Sequence, residues 1–264
     1  MLLAVLMRSE DTGCVGTQWT RSDVAGTLRV LDLWWDLLAG GVEELADAAP
    51  APGEPSFSVI REVSIRRLID AQGTDPDGLV AVVQAVLADL SAAGRILARL
   101  GVGPQGMRGT VARIHRSGGG VPKLPVAAAV VGRDGVQGDR QGDRRVHGRV
   151  WQALCIWSAE VIAKLRAEGH PIAPGNAGEN LTLSGLDWQR LRPGTRLRAG
   201  SVLAELSLPA TPCAKNARWF TDGDFMRMSY ERHPGWSRWY ASVLEPGEVA
   251  VGDVVVVEPN SQTE

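Results

Sequence analysis

The sequence predicts an α+β protein: an N-terminal antiparallel helical bundle over residues 1–103, then a β-barrel or sandwich domain with peripheral helices over residues 107–259. Three observations carry this. Apolar residues recur at three- and four-residue steps in the first part and in short β-type runs in the second. The two patterns meet at Leu100–Gly109, LGVGPQGMRG, a Gly/Pro-rich junction of the kind that separates domains. The composition, 44% apolar and 22% charged over 264 residues, is that of an ordinary folded chain with room for two modest domains.

In the first part, Arg21-Ser22-Asp23 can cap a helix that carries Val24, Leu28, Leu31, Trp35 and Leu38 on one face, and the turn Ala49–Pro55, APAPGEP, ends it. A second helix is predicted over Phe57–Ala71, with Ile60, Val63, Arg67 and Leu68 in register. A third follows Asp75-Pro76 and carries Leu79, Val82, Val83, Val86, Leu87, Leu90 and Leu97. Helices of this length pack as a small antiparallel bundle.

Beyond the junction, β-type runs at Gly109–His115, Leu124–Val131, Val150–Ile156, Thr195–Leu197, Val202–Leu208 and Val254–Glu258 are separated by turn signals such as PGT, AGS, PGE and VGD. One helix interrupts them. Ser158 is its predicted N-cap, Val161, Ile162 and Leu165 form its apolar stripe, and Gly169 stops it.

The formal charge of −2 gives no general reason to expect nucleic-acid or membrane binding. No apolar run approaches the roughly 18 residues of a membrane span, and the opening MLLAVLMRSED lacks the basic n-region of a signal peptide. Cys14, Cys155 and Cys213 are an odd set without short spacing, which fits neither a disulfide framework nor a zinc knuckle and leads to the expectation of a reducing cytoplasm.

Cys213 differs from the other two. It follows Thr211-Pro212, so a strand ends there and the side chain is presented from a loop, and Lys215 is placed to lower its thiol pKa. Cys155, inside WQALCIW, reads as core. The loop Arg133–Arg149, RDGVQGDRQGDRRVHGR, sets five arginines against three aspartates. It is either a solvated charged loop or an anion cradle in which guanidinium forks and glycine-freed N–H groups hold a phosphate. In Ala173–Trp188, APGNAGENLTLSGLDW, Glu179 and Asn180 offer an acceptor and an amide to a polar heterocycle, or their side chains close a local turn. No G-x-S-x-G elbow, metal-type histidine pair, P-loop or dinucleotide fingerprint is present.

In order, the strings GGGVPK (Gly118–Lys123), GDRQGDRRVHG (Gly138–Gly148), Leu154–Trp188, LRPGTRLR (Leu191–Arg198), TPC (Thr211–Cys213) and Asp222–Val249 resemble the MOSC domain, the C-terminal region of molybdenum cofactor sulfurases. The resemblance implies a MOSC-type β-barrel that holds the molybdenum cofactor (molybdopterin) or handles its sulfur. It makes Cys213 the residue that carries persulfide sulfur or ligates molybdenum, with Lys215 beside it. It also implies cofactor contacts from Lys123, Arg140, Arg144, His147, Glu179 and Asn180. The first part faintly resembles DinB-like helical bundles, whose three-histidine metal site is absent because no histidine precedes His115.

Carrier and reductase stay open at this point, because sulfur transfer and reduction of an N-hydroxylated small-molecule substrate both need a reactive cysteine at the same pocket. A carrier would need a pyridoxal-phosphate cysteine desulfurase acting in trans, since the residues before the junction are too few for that domain. Two other classes are a cofactor-free module for a small anion and a metal-free thiol enzyme pairing Cys213 with His233 or His147 as base. No nucleic-acid or membrane partner is expected.

Overall fold

The computed structural model describes residues 106–140 and 150–258, together with helical positions scattered between Ile60 and Ala93. Most of the predicted bundle, and with it the helix expected over Val24–Leu38, lies outside the described residues. The described positions in Phe57–Ala71 and after Asp75-Pro76 are helical. Ser64 Oγ donates to Asp89 Oδ2 at 2.9 Å, and Arg67 Nε lies 3.2 Å from the same carboxylate. The inward face runs through Ile60, Ser64, Val86 and Ala93. Ile60 and Val86 are buried as predicted, whereas Val63 and Arg67 are exposed and Ser64 faces inward in their place.

Cα packing groups Pro104–Leu191 with Thr195–Pro259 into one unit. Its strands are β1 (Arg108–Arg116), β2 (Leu124–Val126), β3 (Ala128–Gly132), β4 (Gly135–Val136), β5 (Leu154–Ser158), β6 (Leu181–Ser184), β7 (Arg196–Ala199), β8 (Val202–Pro209), β9 (Trp239–Glu245), β10 (Gly247–Ala250) and β11 (Val254–Glu258). The order β11-β7-β8-β9-β5-β6-β1 closes through β1–β11 pairing into a seven-stranded barrel, with β2 added beside the far end of β1. Closure leaves few open edges. A small sheet, β10-β3-β4, stands apart from the barrel.

The predicted runs map onto these strands with two differences. The run Leu124–Val131 is two strands, because β2 pairs with β1 while β3 pairs with β10. The run Val150–Ile156 starts as a 3-10 turn over Val150–Gln152 and becomes a strand only at Leu154. That turn is fixed by Ser207 Oγ, which donates to Trp151 O at 2.6 Å. β5 and β8 are buried along their whole length; β5 reads as an apolar run up to Ser158, whereas β8 carries Glu205 and Ser207 among its apolar residues.

Helix α1 spans Ala159–Ala167 as predicted. Ser158 Oγ accepts from Glu160 N and Val161 N at 3.1 and 3.2 Å, a cap worth about 1 kcal/mol. Val161, Ile162 and Leu165 are its buried face. β5, which ends at this cap, and β6 are the one parallel pair among the described strands, and α1 is the crossover that such a pair needs.

Candidate functional site

A cavity of about 150 Å³ opens where the Gly118–Lys123 loop, the Ala173–Asn180 turn, the start of β5 and the Cys213 loop come together. Each wall is tied to the next by hydrogen bonds. Lys123 N donates to Gly175 O at 2.9 Å. At Gly175 the backbone is left-handed, φ +85°, and an added Cβ would sit 2.6 Å from Lys123 O and 2.8 Å from His115 Cδ2, so only glycine fits. Arg218 reaches from the 3-10 helix after Cys213 to Val121 O at 2.7 Å, with its guanidinium over the Trp219 ring.

Asp139 is the hub of one side. It forms a buried ion pair with Lys123 and accepts from Ser117 N at 2.7 Å and Asn180 Nδ2 at 2.9 Å. Asn180 joins three strands. Its main chain donates to Cys155 O and its carbonyl accepts from His115 N, while Oδ1 takes Cys155 N at 3.1 Å. Its amide is therefore spent on the scaffold. Glu179 is not among the lining residues; its Oε1 accepts from Gly175 N at 2.6 Å and Thr182 Oγ1 at 3.3 Å, while its buried Oε2 has no partner. Burial raises its pKa, against the lowering effect of those donors.

Arg238 holds the other side. Two indoles place it: Trp157 Nε1 donates to Trp236 O at 2.9 Å and Trp188 Nε1 to Ser237 O at 2.7 Å. Its carbonyl accepts from Ala210 N at 2.7 Å, and its guanidinium donates to Ala177 O and, at 3.2 Å, to Thr211 O. One side chain thus spans the Ala173–Asn180 turn and the strand end that leads to Pro212-Cys213. Burial opposes its charge, yet Cys155, Tyr240, Glu179 and Cys213 around it leave the pKa raised, so it stays a cation.

Cys213 is partly exposed on the cavity wall at the start of the 3-10 helix Ala214–Trp219, and its carbonyl accepts from Asn216 N at 2.8 Å. Cys155 also lines the cavity, opposite Tyr240 in the β5–β9 register. It is buried as the sequence reading expected, but its thiol faces the cavity wall, and burial raises its pKa. Both described cysteines are free.

His115 supports this wall from beneath Gly175, and its Nδ1 has no partner. Burial, then Arg113 and Lys123, lower its pKa from 6.5 to about 4. The folded value lies below the unfolded one, so the unfolded chain binds more protons between them and stability falls as pH drops through that window. The shift corresponds to about 3 kcal/mol. Urea unfolding midpoints of wild type and His115→Gln from pH 7 to 4 should show the variant losing correspondingly less stability. Parallel slopes would contradict the assignment.

Of the residues singled out in the sequence, Lys123, Arg140, Asn180, Cys213 and Lys215 line this cavity. Glu179 lies outside its lining, and Arg144 and His147 lie outside the described residues. His233 packs on Trp236 and is not among the lining residues, so the pairing of Cys213 with His233 as base finds no support in the geometry. Gln152, Asn216, Arg238 and Tyr240 also line it, although their short motifs do not single them out. Asp139 belongs to the charged loop Arg133–Arg149, where it sits between Gly138 and Arg140.

Residues 143–256 match the MOSC domain. The chain is 31% identical to YflK of Bacillus subtilis over 135 residues, 50% of this chain and 60% of that protein. It is 31% identical to YiiM of Escherichia coli over 121 residues, 44% of this chain and 53% of that protein. The matches therefore span little more than half the length of either relative. Among solved structures, YiiM from Geobacillus stearothermophilus gives a TM-score of 0.45 at 26% identity, covering 57% of this chain and 75% of that one. YiiM from Escherichia coli gives 0.45 at 25%, covering 60% and 72%. Among the described residues no helix is long and apolar enough to cross a membrane.

Proposed function

We propose that this pocket binds the molybdenum cofactor and that Cys213 is its working thiol, carrying sulfur as a persulfide or ligating molybdenum. The observation that carries the reading is the convergence of Cys213, Lys215 and Arg140 on one cavity. The residues present suit the group: Arg140 and Lys215 are exposed and take no carboxylate partner among the described residues, which leaves them for a phosphate. A cysteine sulfur is a soft ligand. When bound, the cofactor would supply a metal centre for two-electron chemistry and a site for terminal sulfur.

In the carrier reading, the Cys213 thiolate attacks the outer sulfur of a donor persulfide. A bond forms between Cys213 Sγ and that sulfur, the donor's S–S bond breaks, and the donor leaves as a thiolate, with no net oxidation. A pyridoxal-phosphate desulfurase acting in trans is the donor this requires, and the cytoplasm is the setting that keeps both described thiols reduced. In the reductase reading the same side chain would ligate molybdenum, and the cavity beside it would admit a small N-hydroxylated substrate.

Arg140→Ala should weaken cofactor retention by about 1.5–3 kcal/mol, the range for a hydrogen bond to a charged group, and added salt should weaken it further. The measurement is molybdenum remaining after gel filtration at increasing ionic strength. Wild-type retention in the variant would return this loop to a solvated surface.

A further inference from the structure

We propose that the outer rim of the cavity mouth is a docking surface for an acidic protein, and that this partner is the one that brings sulfur to Cys213. The second half rests on the reading of Cys213 as a sulfur acceptor. The first half, the acidic partner, follows from the surface alone.

Arg116, Arg140, Lys215 and Arg218 stand around the mouth, all exposed. Arg140 and Lys215 line the cavity itself, whereas Arg116 and Arg218 lie outside its lining. A main-chain carbonyl of the surrounding loops fixes each of these two. Arg116 Nη1 donates to Gln137 O at 3.3 Å, and Arg218 Nη2 to Val121 O at 2.7 Å. Arg140 N donates to Ser117 O at 2.8 Å, which draws the loop after Gln137 against the Gly118–Lys123 loop. Asp139, the acid bonded into these loops, is buried and spent on Lys123, Ser117 N and Asn180. None of the exposed cations has a carboxylate partner among the described residues. Like charges gathered in this way repel one another until an anionic surface covers them. A cofactor phosphate on Arg140 and Lys215 would still leave Arg116 and Arg218 uncompensated.

Apolar surface lies among these cations. Leu124, the cross-strand partner of Arg116, is 66% exposed, and Pro122 and Pro125 close to it are exposed too. The Arg218 guanidinium lies 4.7 Å from the centroid of the Trp219 ring. Arginine beside tryptophan and bare aliphatic surface is the make-up of a protein–protein contact. A nucleic acid fits less well. The chain as a whole carries a formal charge of −2, so the positive potential is confined to the rim, and Trp219 gives a face to Arg218 rather than to a base. The cavity, about 150 Å³, is too small to admit a folded domain. A protein donor must therefore lie on this rim to present its persulfide to Cys213.

The test uses the full chain and two synthetic peptides, each with one cysteine persulfide, set among glutamates in one and among lysines in the other. Serine versions of both peptides, and a single-stranded oligonucleotide of the same charge as the glutamate peptide, are titrated for binding by fluorescence anisotropy. Loading of Cys213 is timed by mass spectrometry, with the uncharged persulfide of N-acetylcysteine amide as reference. In each transfer Cys213 Sγ takes the outer sulfur and the peptide leaves as a thiolate. The glutamate peptide should bind, and load Cys213, at least about tenfold better than the lysine peptide at low salt, and added salt should shrink the difference. Arg116→Glu should remove at least about fivefold of that preference, and Leu124→Ser should weaken binding of the glutamate peptide. Neither should alter loading from the uncharged persulfide, because neither residue lines the cavity. Equal binding of the two peptides, a preference unchanged in Arg116→Glu, or tighter binding of the oligonucleotide than of the glutamate peptide would overturn the proposal. Loading from the uncharged persulfide without any charge preference sinks the docking surface alone. Binding through Arg116 with no loading from any persulfide leaves the acidic partner and removes the proposed role of Cys213.

Discussion

Cys213→Ser should abolish sulfur loading and any turnover at this pocket while leaving stability within about 0.5 kcal/mol of wild type. The side chain is partly exposed on a loop, so its packing contribution is small, and the residues before it are held by the Arg238 carbonyl and guanidinium whatever occupies position 213. Serine keeps the shape but is neither a soft ligand nor a sulfur acceptor at neutral pH. Circular dichroism with a urea titration checks the fold, and mass spectrometry after exposure to a persulfide donor checks loading. Loading at wild-type level in the variant would place the chemistry on another residue, with Cys155 the other thiol on the cavity wall.

Arg238→Ala should be the most destabilising single change at the site. It removes a buried cation that hydrogen-bonds the carbonyls of Ala177 and Thr211 and lies beside Glu179, leaving those groups without their partner. Losing one member of such a buried network costs about 3–5 kcal/mol, or roughly 6–20 °C in melting temperature for a domain of this size. The Cys213 loop loses its tie to the Ala173–Asn180 turn in the same step, so sulfur loading should fall too. Arg238→Lys keeps the charge but not the planar fork that spans both carbonyls, and should lie between the two. A melting temperature unchanged in Arg238→Ala would show that the two walls are held by other contacts.

These two residues also mark how far the sequence could be read. Cys213 was legible because Thr-Pro before it and a lysine after it are local signals, and the surrounding strings resemble one family over a long span. Helix α1 was legible for the same reason: its cap, stripe and stop lie within a dozen residues of one another. Arg238 was not legible, because an arginine between Ser237 and Trp239 looks like surface until two distant indoles, Trp157 and Trp188, bury the backbone around it. Gln152 was hidden in a run that read as a strand, where a glutamine is an ordinary outward residue. Cys155 was read correctly as buried, but burial and access to a cavity are not alternatives when the strand forms the cavity wall. Glu179 and Asn180 stood out as polar residues at a turn, and only three-dimensional pairing shows that their side chains hold the scaffold.

The most direct test of the proposed role of Cys213 is made on the full chain purified anaerobically from its native host. Molybdenum is measured by elemental analysis, and the Cys213 and Cys155 peptides are weighed by mass spectrometry without reductant. The account predicts molybdenum in the preparation, or a Cys213 peptide heavier by one sulfur atom, with the Cys155 peptide unmodified. A preparation free of molybdenum, with Cys213 a plain thiol even after exposure to a persulfide donor, would contradict it.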